Sequence, residues 1–181
     1  MMCEFRMINA VAPVLLGQQD GGTNYQSLMR NFEESPGGGT PLCRHINEVI
    51  AQIRVMEPHL RANGQRAVVV IATDGESSDG DIAAAMKPLE KLPVWVVIRL
   101  CTDDDAIVSY WNNIDGQLEL EMDVLDDLVG EAKEVHEHNS WLTYGEPLHR
   151  LREWGVHMRE MDLIDEGPLS AEHMRSVCAM M

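Results

Sequence analysis

Hydrophobic positions along the chain fall into two kinds of block, nearly unbroken runs and spacings of three or four residues. Arg66-Ala67-Val68-Val69-Val70-Ile71-Ala72-Thr73 and Pro93-Val94-Trp95-Val96-Val97-Ile98-Arg99-Leu100 are continuous apolar runs of strand length. Such runs predict strands covered on both faces. Between them Leu42, Ile46, Val49, Ile50, Ile53, Met56 and Leu60 recur at helical spacing, with Arg44, Asn47, Glu48, Gln52 and Arg54 interleaved. That pattern predicts an amphipathic helix covering a sheet, with Pro58 kinking it or ending it early and Asn63-Gly64 as a stop.

The flanking segments extend the same alternation. Glu4–Asn9 and Val11–Leu16 predict a short hairpin, with Pro13 tolerable only on an edge strand. Asn24–Glu34 places Tyr25, Leu28, Met29 and Phe32 at helical spacing. Asp79 or Asp81 is placed to cap a helix through Ile82, Met86 and Leu89, and acidic residues open a further helix through Ile107, Tyr110 and Ile114. Leu118, Leu120, Met122 and Val124 alternate with acidic residues, as in a half-exposed strand, and Leu125–Val135 predicts another helix. Two shorter helices are expected near Pro147–Trp154 and Ser170–Ala179. Strand and helix alternate along most of the chain, so the expected class is α/β with a mainly parallel sheet.

Composition narrows the partners. With 181 residues, the chain suits one well-buried domain. A formal net charge of −16 argues against nucleic acid, whose phosphates would be repelled, and suits cations or a basic partner. No apolar run approaches the roughly 20 residues needed to span a bilayer. Glu4 and Arg6 interrupt what would be the hydrophobic part of a signal peptide. Cys3, Cys43, Cys101 and Cys178 form no CxxC pair, so buried free thiols are expected. Together these favour an intracellular, cytoplasmic protein.

The candidate chemistry sits at two element junctions. Gly37-Gly38-Gly39 permits a sharp turn, and Thr40 is placed to cap the following helix, with Pro41 at its first position. Asp74 follows the first apolar strand directly. A loop hydroxyl and a strand-end carboxylate are hard oxygen ligands of the kind Mg²⁺ or Ca²⁺ takes. Ser77, Ser78, Asp79 and Asp81 miss the EF-hand spacing and predict a polar turn. His136 and His138 fall on different sides of a helix and make poor zinc partners. His149, beside Arg150 and Arg152, is expected on a polar helix face, and Asp123, Asp126, Asp127 and Glu131 on a solvated face or basic-partner surface. The segment Trp141–Trp154 is expected to dock over the domain.

Gly38-Gly39-Thr40-Pro41-Leu42, the long helix and Val69-Val70-Ile71-Ala72-Thr73-Asp74-Gly75-Glu76 together resemble the von Willebrand factor type A (vWA) domain. The likeness covers roughly residues 3 to 137. It implies a Rossmann-like doubly wound sheet in 1–137, with 138–181 as a helical extension packed on it. It also implies a metal-ion-dependent adhesion site at the strand ends, with Thr40 coordinating the ion and Asp74 holding it directly or through water. The family's Asp-x-Ser-x-Ser motif is absent from the sequence. Glu4–Asn9 and Val11–Leu16 resemble the family's second and third strands, so the first strand, its metal loop and its helix are missing, a unit of roughly 30 residues. An incomplete sequence is the first explanation for this, and a truncation rescued by strand donation or direct pairing the second. In either case two strand edges are left without their middle neighbour.

The functional expectation is a non-enzymatic protein-interaction module. A partial site for Mg²⁺ (or Mn²⁺ or Ca²⁺) at Thr40 and Asp74 would present the ion to a partner's carboxylate. The alternatives are a metal-independent acidic scaffold, and a phosphate- or nucleotide-handling enzyme using Gly37–Gly39 as an anion cradle. Neither GxxxxGK[ST] nor a nucleophile elbow supports the enzyme.

Overall fold

A computed structural model describes residues 3–9, 12–17, 23–35, 37–156, 158, 161, 163–165, 167–173 and 175. In chain order the elements are β1 (Cys3–Phe5), β2 (Val14–Leu16), α1 (Thr23–Glu33), α2 (Leu42–Ala62), β3 (Ala67–Thr73) and α3 (Ile82–Met86). A 3-10 turn at Lys87–Lys91 follows, then β4 (Val94–Leu100), α4 (Asp105–Asp115), β5 (Met122–Leu125), α5 (Leu128–His138) and α6 (Glu146–Glu153). Most of the expected elements are present. Of the helix expected near Ser170–Ala179, residues 171–173 and 175 are helical, and 174 and 176–179 lie outside the described residues.

β3, β4 and β5 form a parallel sheet with β4 in the middle, in register Ala67↔Val94 through Thr73↔Leu100 and Val96↔Met122 through Arg99↔Leu125. Parallel neighbours require crossovers, which α3 and α4 supply. One face carries the main core, where Ile46, Ile50 and Ile53 of α2 join Ile71, Val96, Ile98, Met86 and Trp111. The other face buries Trp95, Val97 and Leu125, and α6 packs against β4. Helices on both faces of a parallel sheet make this a Rossmann-like, doubly wound α/β fold, as expected. α5 and the following chain build a satellite core of Val135, Leu142, Tyr144, Ile164 and Leu169.

Several expectations are corrected. β4 is covered on both faces, but β3 is not. Its Val68 and Val70 are 48% and 46% exposed and, with Ala72, lie on one face of the strand, which the described residues leave largely uncovered. The hairpin forms as expected, β1 antiparallel to β2 with Glu4↔Leu15, yet it is a separate sheet. Pro58 lies inside α2 without ending it, and the helix runs on to Ala62. The stop is Asn63 with Gly64 at φ 61°, a left-handed position that suits glycine. α1 buries only Leu28 and leaves Tyr25, Met29 and Phe32 exposed, so its apolar stripe is not core. The strand expected from Leu118 is shorter, starts at Met122 and ends on the buried Leu125.

Candidate functional site

The C-terminal ends of the strands and the N-terminus of α2 meet at one edge of the fold, where open α/β sheets form their crevice. Two loops are stitched together there. The Thr40 N–H donates to the Ser78 hydroxyl at 2.8 Å, and the Ser78 N–H donates to the Thr40 carbonyl at 2.9 Å. Gly38 adopts φ 95°, which brings the turn against the Asn9 side chain, whose amide donates to the Gly37 carbonyl at 2.6 Å. The Asp74 turn is fixed from below. Thr73 Oγ1 donates to the Gly75 carbonyl at 3.2 Å, and so does the indole N–H of the buried Trp111, also at 3.2 Å. Thr40 and Asp74 therefore sit on two loops joined through Ser78. Among the described residues, neither the Thr40 hydroxyl nor the exposed Asp74 carboxylate makes a hydrogen bond.

Thr40 is not the cap of α2, contrary to expectation. Pro41 takes the capping position and offers no side-chain bond. Asp79, reaching across from the β3–α3 loop, accepts from the Cys43 and Arg44 N–H groups at 2.9 Å each. The Ser77 hydroxyl donates to the same carboxylate at 2.7 Å. Desolvation is the largest single influence and pulls the Asp79 carboxyl upward, but the Ser77 hydroxyl and the two backbone N–H groups together outweigh it and hold the carboxyl down at about 2. Asp81 caps α3 by accepting from Ala84 N–H at 3.2 Å, as one of the two residues expected there. Asp79→Ala should expose the first amides of α2. Hydrogen exchange is expected to show Cys43 and Arg44 losing protection while Ile50 and Ile53 keep theirs. The same protection in the wild type should hold above pH 3.8 and disappear as pH falls through about 2.

Asp79 also bears on the anion-cradle alternative. The amides a phosphate would use at this helix start are already bonded to an internal carboxylate. For a cation the fit is partial. Thr40 and Asp74 would supply at most two hard oxygens of the roughly six a Mg²⁺ or Ca²⁺ ion takes, while the neighbouring Ser77 and Ser78 hydroxyls are engaged internally.

A second polar cluster lies under α6. Arg152, 2% exposed, donates to Asp123 Oδ1 at 3.0 Å, Glu131 Oε2 at 2.7 Å and Asp165 Oδ2 at 2.5 Å. Glu131 is also 2% exposed, and burial outweighs the Arg152 attraction to push its carboxyl up to about 8. Asp123 and Glu131 were expected on a solvated face and instead turn inward. Asp127 caps α5 through Val129 and Gly130. His149 was expected on a polar helix face and is buried, with Nδ1 at 3.1 Å from the Tyr144 hydroxyl. Glu153 forms an ion pair with Arg99 of β4, so the Trp141–Trp154 segment is held over the sheet by charge pairs as well as apolar contact. Glu131, Glu134 and Asp165 bring carboxylate oxygens within 4.8 Å of one another, the only such acidic group among the described residues. Arg152 already supplies the positive charge between two of them.

This inward cluster was the feature hardest to find from sequence. Arg152 in the apolar-spaced run Leu148, Leu151, Arg152 was its one signal. Among the described residues Cys43 is buried, Cys3 half-buried and Cys101 exposed, all as free thiols, so of these three only Cys43 matches the expected burial; Cys178 lies outside the described residues. The class defined by the fold is a doubly wound α/β protein with loops joined at the strand ends. No protein-family model, curated protein or solved structure matches the chain.

Proposed function

We propose that the chain is a non-enzymatic protein-interaction module of vWA type. In this reading Thr40 and Asp74 anchor a divalent cation whose open positions accept a carboxylate from a partner protein. The observation that carries it is the Ser78 stitch, which holds the loop hydroxyl and the strand-end carboxylate on adjoining loops, with neither oxygen hydrogen-bonded among the described residues. The acidic surface, with a net charge of −16, favours cations and basic partner surfaces and disfavours nucleic acid. No described helix is long and apolar enough to cross a membrane.

With two protein ligands the ion is held weakly, with Kd on the order of 10⁻³ M. Isothermal titration of Mg²⁺, Mn²⁺ and Ca²⁺ into the protein should give saturable heat at millimolar ion. Thr40→Ala and Asp74→Ala should each remove that heat without changing the unfolding temperature in EDTA. Identical titrations for wild type and both variants would leave the metal-independent acidic scaffold as the function.

A further inference from the structure

We propose that the outer edge of β3 is a docking site for an extended apolar strand of a second polypeptide, received between β3 and β1 alongside α2. The hydrogen-bond directions define the open edge. Ala67 N–H donates to the Pro93 carbonyl at 2.9 Å and Cys101 N–H to the Thr73 carbonyl at 2.8 Å. Ala67, Val69, Ile71 and Thr73 therefore face β4, and by alternation Val68, Val70 and Ala72 turn their N–H and C=O groups to the other side. Among the described residues β4 is the only strand neighbour of β3. Ala67–Thr73 also contains no charge and no proline, the usual protections of an exposed edge.

The position of β1 turns this edge into a slot. α2 presents Ile46, Ile50 and Ile53 to the core, and Cys43 to the β3–α3 loop through Ser77 and Asp79. At about 100° per residue, His45, Glu48 and Gln52 lie on the opposite flank of that core stripe. They hold the hairpin: His45 Nε2 is 2.8 Å from the Ile8 carbonyl, Arg6 donates to Glu48 at 2.6 Å, and Gln52 donates to Glu4 at 3.2 Å. β1 thus lies beyond the outer edge of β3, away from β4. Both strands lead into the same loop, β1 through Asn9 on Gly37 and β3 through Ser78 on Thr40. Among the described residues β1 pairs only with β2. Val49 and the exposed Met56 project between the core stripe and the hairpin flank, making that side of the slot apolar.

These features select the occupant. Only an extended backbone can meet the donors and acceptors of a strand edge along its length. Its residues facing Val49 and Met56 must be apolar, its others lie beside Val68 and Val70, and basic flanks suit a protein of net charge −16. The edge positions Val68, Val70 and Ala72 are distinct from Thr40 and Asp74, so the test is run in EDTA to separate strand docking from the cation.

The probe is a fluorescein-labelled peptide, Lys-Lys-Val-Thr-Val-Ile-Val-Thr-Lys-Lys, with an identical peptide N-methylated at alternate amides as control. Anisotropy should show saturable binding of the first, weakened roughly tenfold or more by methylation, because the lost hydrogen bonds are the recognition. Val70→Pro removes one outward N–H at an edge position that tolerates proline, and should abolish binding while keeping the wild-type unfolding temperature. Should that variant not fold, the methylation comparison on wild type decides alone. Equal binding of both peptides, or no binding of either, overturns the proposal. Sedimentation of the wild type as a dimer that Val70→Lys returns to monomer also overturns it, because the edge is then taken by a second copy.

Discussion

Arg152→Ala is expected to destabilise the fold by about 3–5 kcal/mol, enough to unfold a marginal domain. The substitution leaves Asp123, Glu131 and Asp165 gathered around an empty centre, with Glu131 fully enclosed and the others largely so. Uncompensated charge on Asp123 and Asp165, joined by Glu131 as pH rises toward about 8, is what makes the loss large, so Arg152→Met should be scarcely better than alanine. Pairing Arg152→Met with Glu131→Leu, Asp123→Asn and Asp165→Asn should recover much of the loss, since an apolar or neutral replacement of a whole buried ion cluster is often tolerated. Urea unfolding gives the measurement. A change below about 1 kcal/mol for Arg152→Ala would place the cluster at the level of a surface salt bridge. The same network carries a pH signature. The folded-state Glu131 carboxyl, at about 8, lies above its ordinary value of 4.5. Between these values the folded chain holds a proton that the unfolded chain has released. This group's contribution is therefore fully present below about pH 4.5 and lost as pH rises through about 8. Glu131→Gln, which is neutral throughout, should flatten that decline.

What the sequence made legible depended on whether local pattern and tertiary environment agree. β4 and α2 were readable because their apolar periods coincide with their burial, a run from Val94 to Leu100 broken only by the half-buried Arg99 in one and a single stripe in the other. β3 is, like β4, a continuous run rich in valine, but its environment differs, since whether a strand is central or at an edge depends on neighbours its own residues do not encode. The helix cap shows the same limit at short range. Thr40-Pro41 is a sound local start signal, yet Asp79, remote in sequence, reaches the first amides instead. Arg152 and His149 look like ordinary charged-helix residues, and only packing against α5 and β5 turns them inward. At the candidate site, the sequence identified the Thr40 and Asp74 loops as a pair. The Ser78 bonds joining them, and the Trp111 bond beneath Asp74, were invisible because they link residues 38 and 36 positions apart.

Trp111→Ala should be the second large loss, about 3–5 kcal/mol, and it ties stability to the candidate site. Trp111 is fully buried in the main core, and its indole N–H reaches the Gly75 carbonyl at 3.2 Å, one residue beyond Asp74. Truncation therefore opens a cavity beneath α4 and frees the turn at the same time. Trp111→Phe separates the two effects. It retains most of the apolar volume but loses the bond, which is worth about 1 kcal/mol net. Because Thr73 Oγ1 still donates to the same carbonyl, the turn is loosened rather than lost. Stability of the phenylalanine variant should thus stay close to wild type, while the Mg²⁺ heat proposed for the Thr40–Asp74 site should diminish through the less ordered turn. If Trp111→Phe lowers stability as much as alanine does, the bond to Gly75 and not the packing is the anchor. If it leaves both stability and the ion titration unchanged, Trp111 serves the core alone, and the Asp74 turn takes its order from Thr73 and from the Ser78 stitch.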